Sequence, residues 1–218
     1  LVGGKVHERL RSYTYLYPAK GDVYPDPGQP NVYNDADMAA EVAVAMVEKG
    51  FTAVKFDPAG PYTIYDGHQP RLEDLDRSEA FCRAIREAVG YRADLLFGTH
   101  GQFTVSGAKR LARRIEQYDP LWFEEPTTPE NPADMAEISR FTSIPVATGE
   151  RLTTKAEFAP VLRSGAASIV QPALGRAGGI WEMTKVAAIA EVYNAQMAPH
   201  LYAGPVEWAA HVQLAASI

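Results

Sequence analysis

Short apolar runs alternate with longer segments in which hydrophobic positions recur every three to four residues, from one end of the chain to the other. The short runs are RLRSYTYLY (Arg9–Tyr17), FTAVKFD (Phe51–Asp57), ADLLFG (Ala93–Gly98), LWFEE, IPVATGE, SIVQ and QMAPH. Each is bounded by turn residues, and together they predict seven strands buried on both faces. Between them lie seven segments with helical periodicity. DADMAAEVAVAMVEKG predicts a helix that opens at Asn34 or Asp35 as N-cap and closes at Gly50. LEDLDRSEAFCRAIREAVG, SGAKRLARRIEQY, Pro132–Phe141 with Asn131 as N-cap, KAEFAPVLRSG, GGIWEMTKVAAIAEVYN and PVEWAAHVQLAASI predict the others.

Seven strand–helix units with no linker or composition shift between them imply an α/β fold and a single domain over residues 1–218. The repetition favours a TIM-like (β/α)8 barrel over a doubly wound sheet, and no glycine-rich dinucleotide turn follows the first strand. A full barrel takes about 250 residues. The eighth unit is therefore expected to be missing, leaving the barrel incomplete at its C-terminal end.

Composition changes this picture little. The chain has 218 residues, 46% hydrophobic and 22% charged, with a net charge of -6. That sign argues against nucleic acid or an anionic membrane as a partner. The single cysteine, Cys82, has no partner for a disulfide and fits a reducing, cytoplasmic setting. The longest apolar stretch is broken by Pro172 and Arg176, so no membrane span is expected.

In a βα barrel the side chains at the C-terminal ends of the strands converge on one mouth. Read in order, those ends carry Lys55 and Asp57, Gly98 to His100, Glu124 and Glu125, Glu150 and Arg151, Gln171, and His200. Two strands stop alike, on Glu124 and on Glu150. Carboxylates held close repel each other, and a divalent cation between them removes that penalty, with hard oxygen ligands suiting Mg²⁺.

The motifs WFEEP, IPVATGER, QPALGRAGGI and APHLYAGP, in this order, resemble the enolase superfamily. Within it they are similar to the mandelate racemase/muconate lactonizing enzyme-like branch of acid-sugar dehydratases, galactonate dehydratase among them. The opening LVGGKVHERLRSY resembles the junction where that family's barrel follows an N-terminal capping domain, so the resemblance implies that this domain, too, is missing. It also implies Mg²⁺ as cofactor, a sugar acid as small-molecule substrate and a homo-oligomer, a dimer or larger ring. The implied reaction removes the proton beside the sugar-acid carboxylate through an enediolate and then expels water, making the protein a hydro-lyase. A lactone or anhydro-sugar cycloisomerase or racemase shares the first step, and a non-catalytic sugar-acid binder is the alternative outside catalysis.

By motif match Glu124 and Glu150 would be metal ligands. Lys55 would be base or substrate contact, and His200 base or acid. Asp57, Arg151, Gln171 and His68 would contact substrate. The family's third ligand is an Asp at the end of the third strand, where this chain has Gly98. Asp57 or His100 could replace it, and His100 otherwise matches a histidine that acts as an acid. Ala173 stands where relatives carry the aspartate that orients the seventh-strand histidine, leaving Gln171 as a neutral partner for His200. Tyr62, Tyr65 and Tyr202 are loop aromatics that could line the mouth. His7 and His211 are expected to be structural, and the GRAGG glycines serve either an anion or helix-start packing.

Overall fold

The computed structural model describes residues 2–18, 25–26, 28–60 and 66–218. Tyr62 and Tyr65 lie outside the described residues. Seven strands alternate with seven helices among them: β1 Thr14–Tyr15, α1 Ala36–Glu48, β2 Ala53–Phe56, α2 Leu72–Val89, β3 Asp94–Gly98, α3 Val105–Ile115, β4 Trp122–Glu124, α4 Pro132–Ser139, β5 Val146–Thr148, α5 Lys155–Arg163, β6 Ile169–Val170, α6 Ile180–Val192, β7 Gln196–Met197 and α7 Pro205–Ala215. Every described strand pairing is parallel. The fold is thus α/β of the βα-barrel class, as the alternation of periods predicts.

The residues fall into two compact units. One comprises Ser12–Thr128 with Phe141–Ile144, and the other Leu1–Arg11, Pro129–Arg140 and Pro145–Ile218. In the first, β1 to β4 pair in sequence order, with Val54 beside Leu95, Phe56 beside Phe97, and Gly98 beside Glu124. Alternation along the strands separates two sets of side chains. Phe56, Phe97 and Phe123 form an edge-to-face row, with ring centroids 5.7 and 5.9 Å apart, and Phe56 continues onto Phe81 of α2. Each such pair contributes about 0.5–1.5 kcal/mol beyond burial. The other set, Lys55, Asp57, Gly98, Trp122 and Glu124, is left for the site.

The long first run makes only a two-residue strand, because ladder pairing is confined to Thr14 with Val54 and Tyr15 with Lys55. Helix starts follow the predicted caps. Asp35 accepts from the amides of Asp37 and Met38, and Asn131 accepts from Ala133. In the second unit β5, β6 and β7 pair in order, and beyond β6 an isolated parallel bridge joins Ala173 to His200. No helix among the described residues is long and apolar enough to cross a membrane.

Candidate active site

Strand register brings four predicted residues together in the first unit. Lys55 Nζ donates to Glu124 Oε1 at 2.5 Å, and Trp122 Nε1 donates to Glu124 Oε2 at 3.0 Å. The Glu124 side chain is only 3% exposed. Burial by itself would lower the pKa of Lys55. The charges of Glu124, Asp57 and Tyr13 and the hydrogen bond to Glu124 together outweigh it and raise it well above the usual lysine range. Lys55 is thus an ammonium, one positive charge beside two buried carboxylates. Tyr13 packs edge-on against Trp122, with centroids 5.3 Å apart, and fixes the indole that orients Glu124.

Asp57 follows β2, and its side chain is 2% exposed. Its Oδ2 lies 3.1 Å from His100 Nδ1. Its Oδ1 lies over Gly98 so closely that a Cβ there would collide with the carboxylate. His100 is held by two left-handed turns that lock each other. It stands at φ 53°, Gly101 at 69° and Glu125 at 42°. Gly101 N donates to Glu125 O at 2.7 Å, and Thr99 Oγ1 donates to the carbonyls of Glu124 and Glu125 at 2.9 and 2.6 Å. Two non-glycine residues at positive φ cost about 1–3 kcal/mol each, tolerated where surrounding bonds over-determine them. With Nδ1 turned to Asp57, the imidazole remains 29% exposed.

In the second unit His200 Nε2 lies 3.4 Å from Glu150 Oε2, with His200 26% exposed. The amide of His200 donates to Pro172 O at 3.2 Å, which fixes its backbone beside Ala173. A carboxylate thus stands against the histidine despite Ala173, supplied by the end of β5 instead of β6. Gln171 is buried, and its amide donates to Thr148 O at 2.8 Å. Arg151 is half-buried directly after Glu150. Arg176, which no motif singled out as functional, reaches the carbonyl of Glu150 at 3.4 Å. The amides of Gly175, Arg176, Ala177 and Gly179 all donate within the chain, to Glu207, Ala173, Ala173 and Leu174, so the GRAGG turn serves helix-start packing.

His68 forms a parallel bridge with Phe103 and sets its ring edge-on to it, 5.3 Å between centroids. His211 is buried and accepts from Leu174 N at 3.3 Å, and burial lowers its pKa. It is structural, as expected. Tyr13, Trp122 and Arg176 are the site-building residues that sequence reading missed. Only the period-2 alternation that places Trp122 on the side of Glu124 could have flagged one of them.

Among the described residues no group of three or more His, Cys, Asp or Glu side chains is arranged to hold a metal ion. The donor chemistry nevertheless fits a hard divalent cation. Buried carboxylates stand at the ends of β2 and β4 with a single ammonium against them, and a carboxylate oxygen fills the cradle over Gly98.

Residues 37–218 match a family described as enolase C-terminal domain-like. The chain is 35% identical over 222 residues to D-xylonate dehydratase of Haloferax volcanii, covering 100% of this chain and 51% of that protein. It is 34% identical over 214 residues to D-galactonate dehydratase of Variovorax paradoxus, covering 98% and 51%. The crystal structure of a mandelate racemase/muconate lactonizing enzyme-like protein from Roseovarius sp. TM1035 superposes with a TM-score of 0.93 at 66% identity, over 100% of this chain and 54% of that one. The chain spans about half the length of the relatives it matches.

Proposed function

Because this chain belongs to the enolase C-terminal domain-like family, we propose that it carries the catalytic residues of a Mg²⁺-dependent acid-sugar dehydratase. The reaction is removal of the proton beside the carboxylate of a pentonate- or hexonate-like sugar acid, followed by loss of the β-hydroxyl as water. The observation that carries this reading is the joining of Lys55, Asp57, His100 and Glu124 through strand register, in a chain similar to named sugar-acid dehydratases.

Glu124 and Glu150 would hold the metal, which when bound supplies Lewis-acid stabilisation to the substrate carboxylate as its neighbouring carbon becomes an anion. Lys55, whose Nζ is held against Glu124, presents positive charge to that carboxylate. His200 Nε2, beside Glu150, accepts the proton from carbon. His100, oriented through Nδ1 by Asp57, gives a proton to the departing hydroxyl, so that water leaves. The resulting enol becomes a 2-keto-3-deoxy acid. Arg151, Gln171 and His68 complete the set of substrate contacts carried over from the sequence. The substrate is a small molecule, and the protein acts as a cytoplasmic homo-oligomer.

The test is product NMR on full-length protein with Mg²⁺ and a panel of xylonate, gluconate and galactonate. A 2-keto-3-deoxy acid from at least one is expected, whereas an epimer or a ring-opened isomer without loss of water would move the protein to the racemase or cycloisomerase reading. His200→Asn is expected to lower turnover by about 10²–10⁴-fold and to leave Mg²⁺ affinity close to that of the unaltered protein. Undiminished turnover in that variant removes His200 from the mechanism.

A further inference from the structure

Position 98 presents a contradiction if the protein is a Mg²⁺ enzyme. It is the β3 residue in register with Glu124, and it has no side chain. What fills its place is a neighbour. A Cβ built on Gly98 would collide with Oδ1 of Asp57 and would lie 2.7 Å from Asp57 Cγ and 3.1 Å from Oδ2. The carboxylate of Asp57 therefore occupies the volume into which a residue-98 side chain would have to project, and it gets there from the end of the adjacent strand.

We propose that Asp57 is an oxygen ligand of the cation site and that it has taken over this task from position 98. The proposal rests on the Mg²⁺ reading above, and three further observations support it. The two oxygens of Asp57 are divided, with Oδ2 turned to His100 Nδ1 at 3.1 Å and Oδ1 over the glycine. One carboxylate thus reaches both the imidazole and the space over position 98. Asp57 and Glu124 are both nearly excluded from water, which is costly for two like charges unless a cation is shared. Finally, Lys55, two residues before Asp57 and on the same side of the strand, sets its Nζ 2.5 Å from Glu124 Oε1, so a positive charge already stands beside these carboxylates.

This makes Gly98 a steric requirement, since any larger residue would expel the carboxylate. It assigns Asp57 two functions, metal ligand and positioning residue for His100, in place of a simple substrate contact. Histidine at position 100 need not then serve as a nitrogen donor, a poor choice for Mg²⁺.

Mg²⁺ binding to full-length protein, measured by isothermal titration calorimetry with Mn²⁺ paramagnetic resonance as a second readout, tests this without turnover. Asp57→Asn keeps the shape and removes the charge. It is expected to weaken Mg²⁺ binding by more than about tenfold, since loss of mere outer-shell partners already costs about 10–100-fold. Asp57→Ala combined with Gly98→Asp is expected to regain most of that affinity, because the new side chain enters the space vacated by the old. Glu124→Gln separates the two levels of inference. If Glu124→Gln abolishes binding while Asp57→Asn binds within about twofold of the unaltered protein, the assignment of Asp57 is overturned and the Mg²⁺ reading stands. If Glu124→Gln also leaves binding unchanged, the Mg²⁺ reading itself fails. A folded double variant with no recovery overturns the relocation from position 98.

Discussion

Gly149 stands at φ 141° between the last residue of β5 and Glu150. A Cβ there would lie 2.8 Å from both Gln171 N and Phe158 Cε1, so the end of β6 and the ring from α5 leave no room for any other residue. Backbone strain and overlap act in the same direction. Gly149→Ala is therefore expected to cost about 2–3 kcal/mol of stability, read as a lowered denaturation midpoint. The neighbouring Glu150, and with it His200 at 3.4 Å, would shift too. A variant as stable as the unaltered protein would mean that the tip of β5 is looser than these contacts state. At the same scale the GER motif acquires a physical meaning: the glycine allows close strand approach, and the glutamate after it is aimed by that constraint.

Between residue and whole stand the helix starts, where several carboxylates do structural work. Glu157 accepts from the amide and hydroxyl of Thr153 and from the amide and hydroxyl of Thr154, closing a capping box at the start of α5. The Thr153 amide, first among these, pulls its pKa below the ordinary 4.5. Glu116 is lowered chiefly by the Ser143 hydroxyl and amide, and Glu182 falls to about 2 through Lys155 and then Lys185. A folded-state pKa below the unfolded one gives stability that is complete above the unfolded value and is lost as pH falls through the folded one. Thermal midpoints should thus hold steady above about 4.5 and decline toward pH 2, and Glu157→Gln should flatten part of that decline. An identical pH profile in that variant would show the capping box to be energetically idle.

The elements themselves were legible because their periods differ. All seven runs and all seven helical segments exist, and Asp35 and Asn131 cap as their side-chain chemistry dictates. Strand length was less legible. RLRSYTYLY reads as nine residues of strand and gives two, since pairing depends on a neighbour that the run does not name. The site residues follow from strand ends, but their partners do not. That Asp57 covers Gly98, that Glu150 lies against His200, and that Trp122 grips Glu124 all depend on register between strands. Register is set by packing of whole sheets and is invisible to a period count.

For the whole molecule, the buried acids of the site decide how stability should respond to metal. The chain carries a net charge of -6, and within it Asp57 and Glu124 are nearly closed off from water. The Lys55 ammonium, 2.5 Å from Glu124, is one positive charge near two carboxylates. A divalent ion adds charge where the protein is short of it, and one that binds the folded state but not the unfolded chain stabilises by RT ln(1 + [L]/Kd), about 2.7 kcal/mol at a hundred times Kd. For a chain of this size that corresponds to a rise in melting temperature of roughly 5–11 °C. The melting temperature should rise with Mg²⁺, and Ca²⁺ should reproduce the rise only in part, because it demands more oxygens at longer range. Glu124→Gln should melt at a temperature indifferent to Mg²⁺. It should also lose stability without metal, since Lys55 would then be left buried against an uncharged amide, a loss of about 3–5 kcal/mol for a broken buried pair. The two effects have opposite dependence on added metal, so one melting series with and without Mg²⁺ separates the structural role of Glu124 from its role as a ligand.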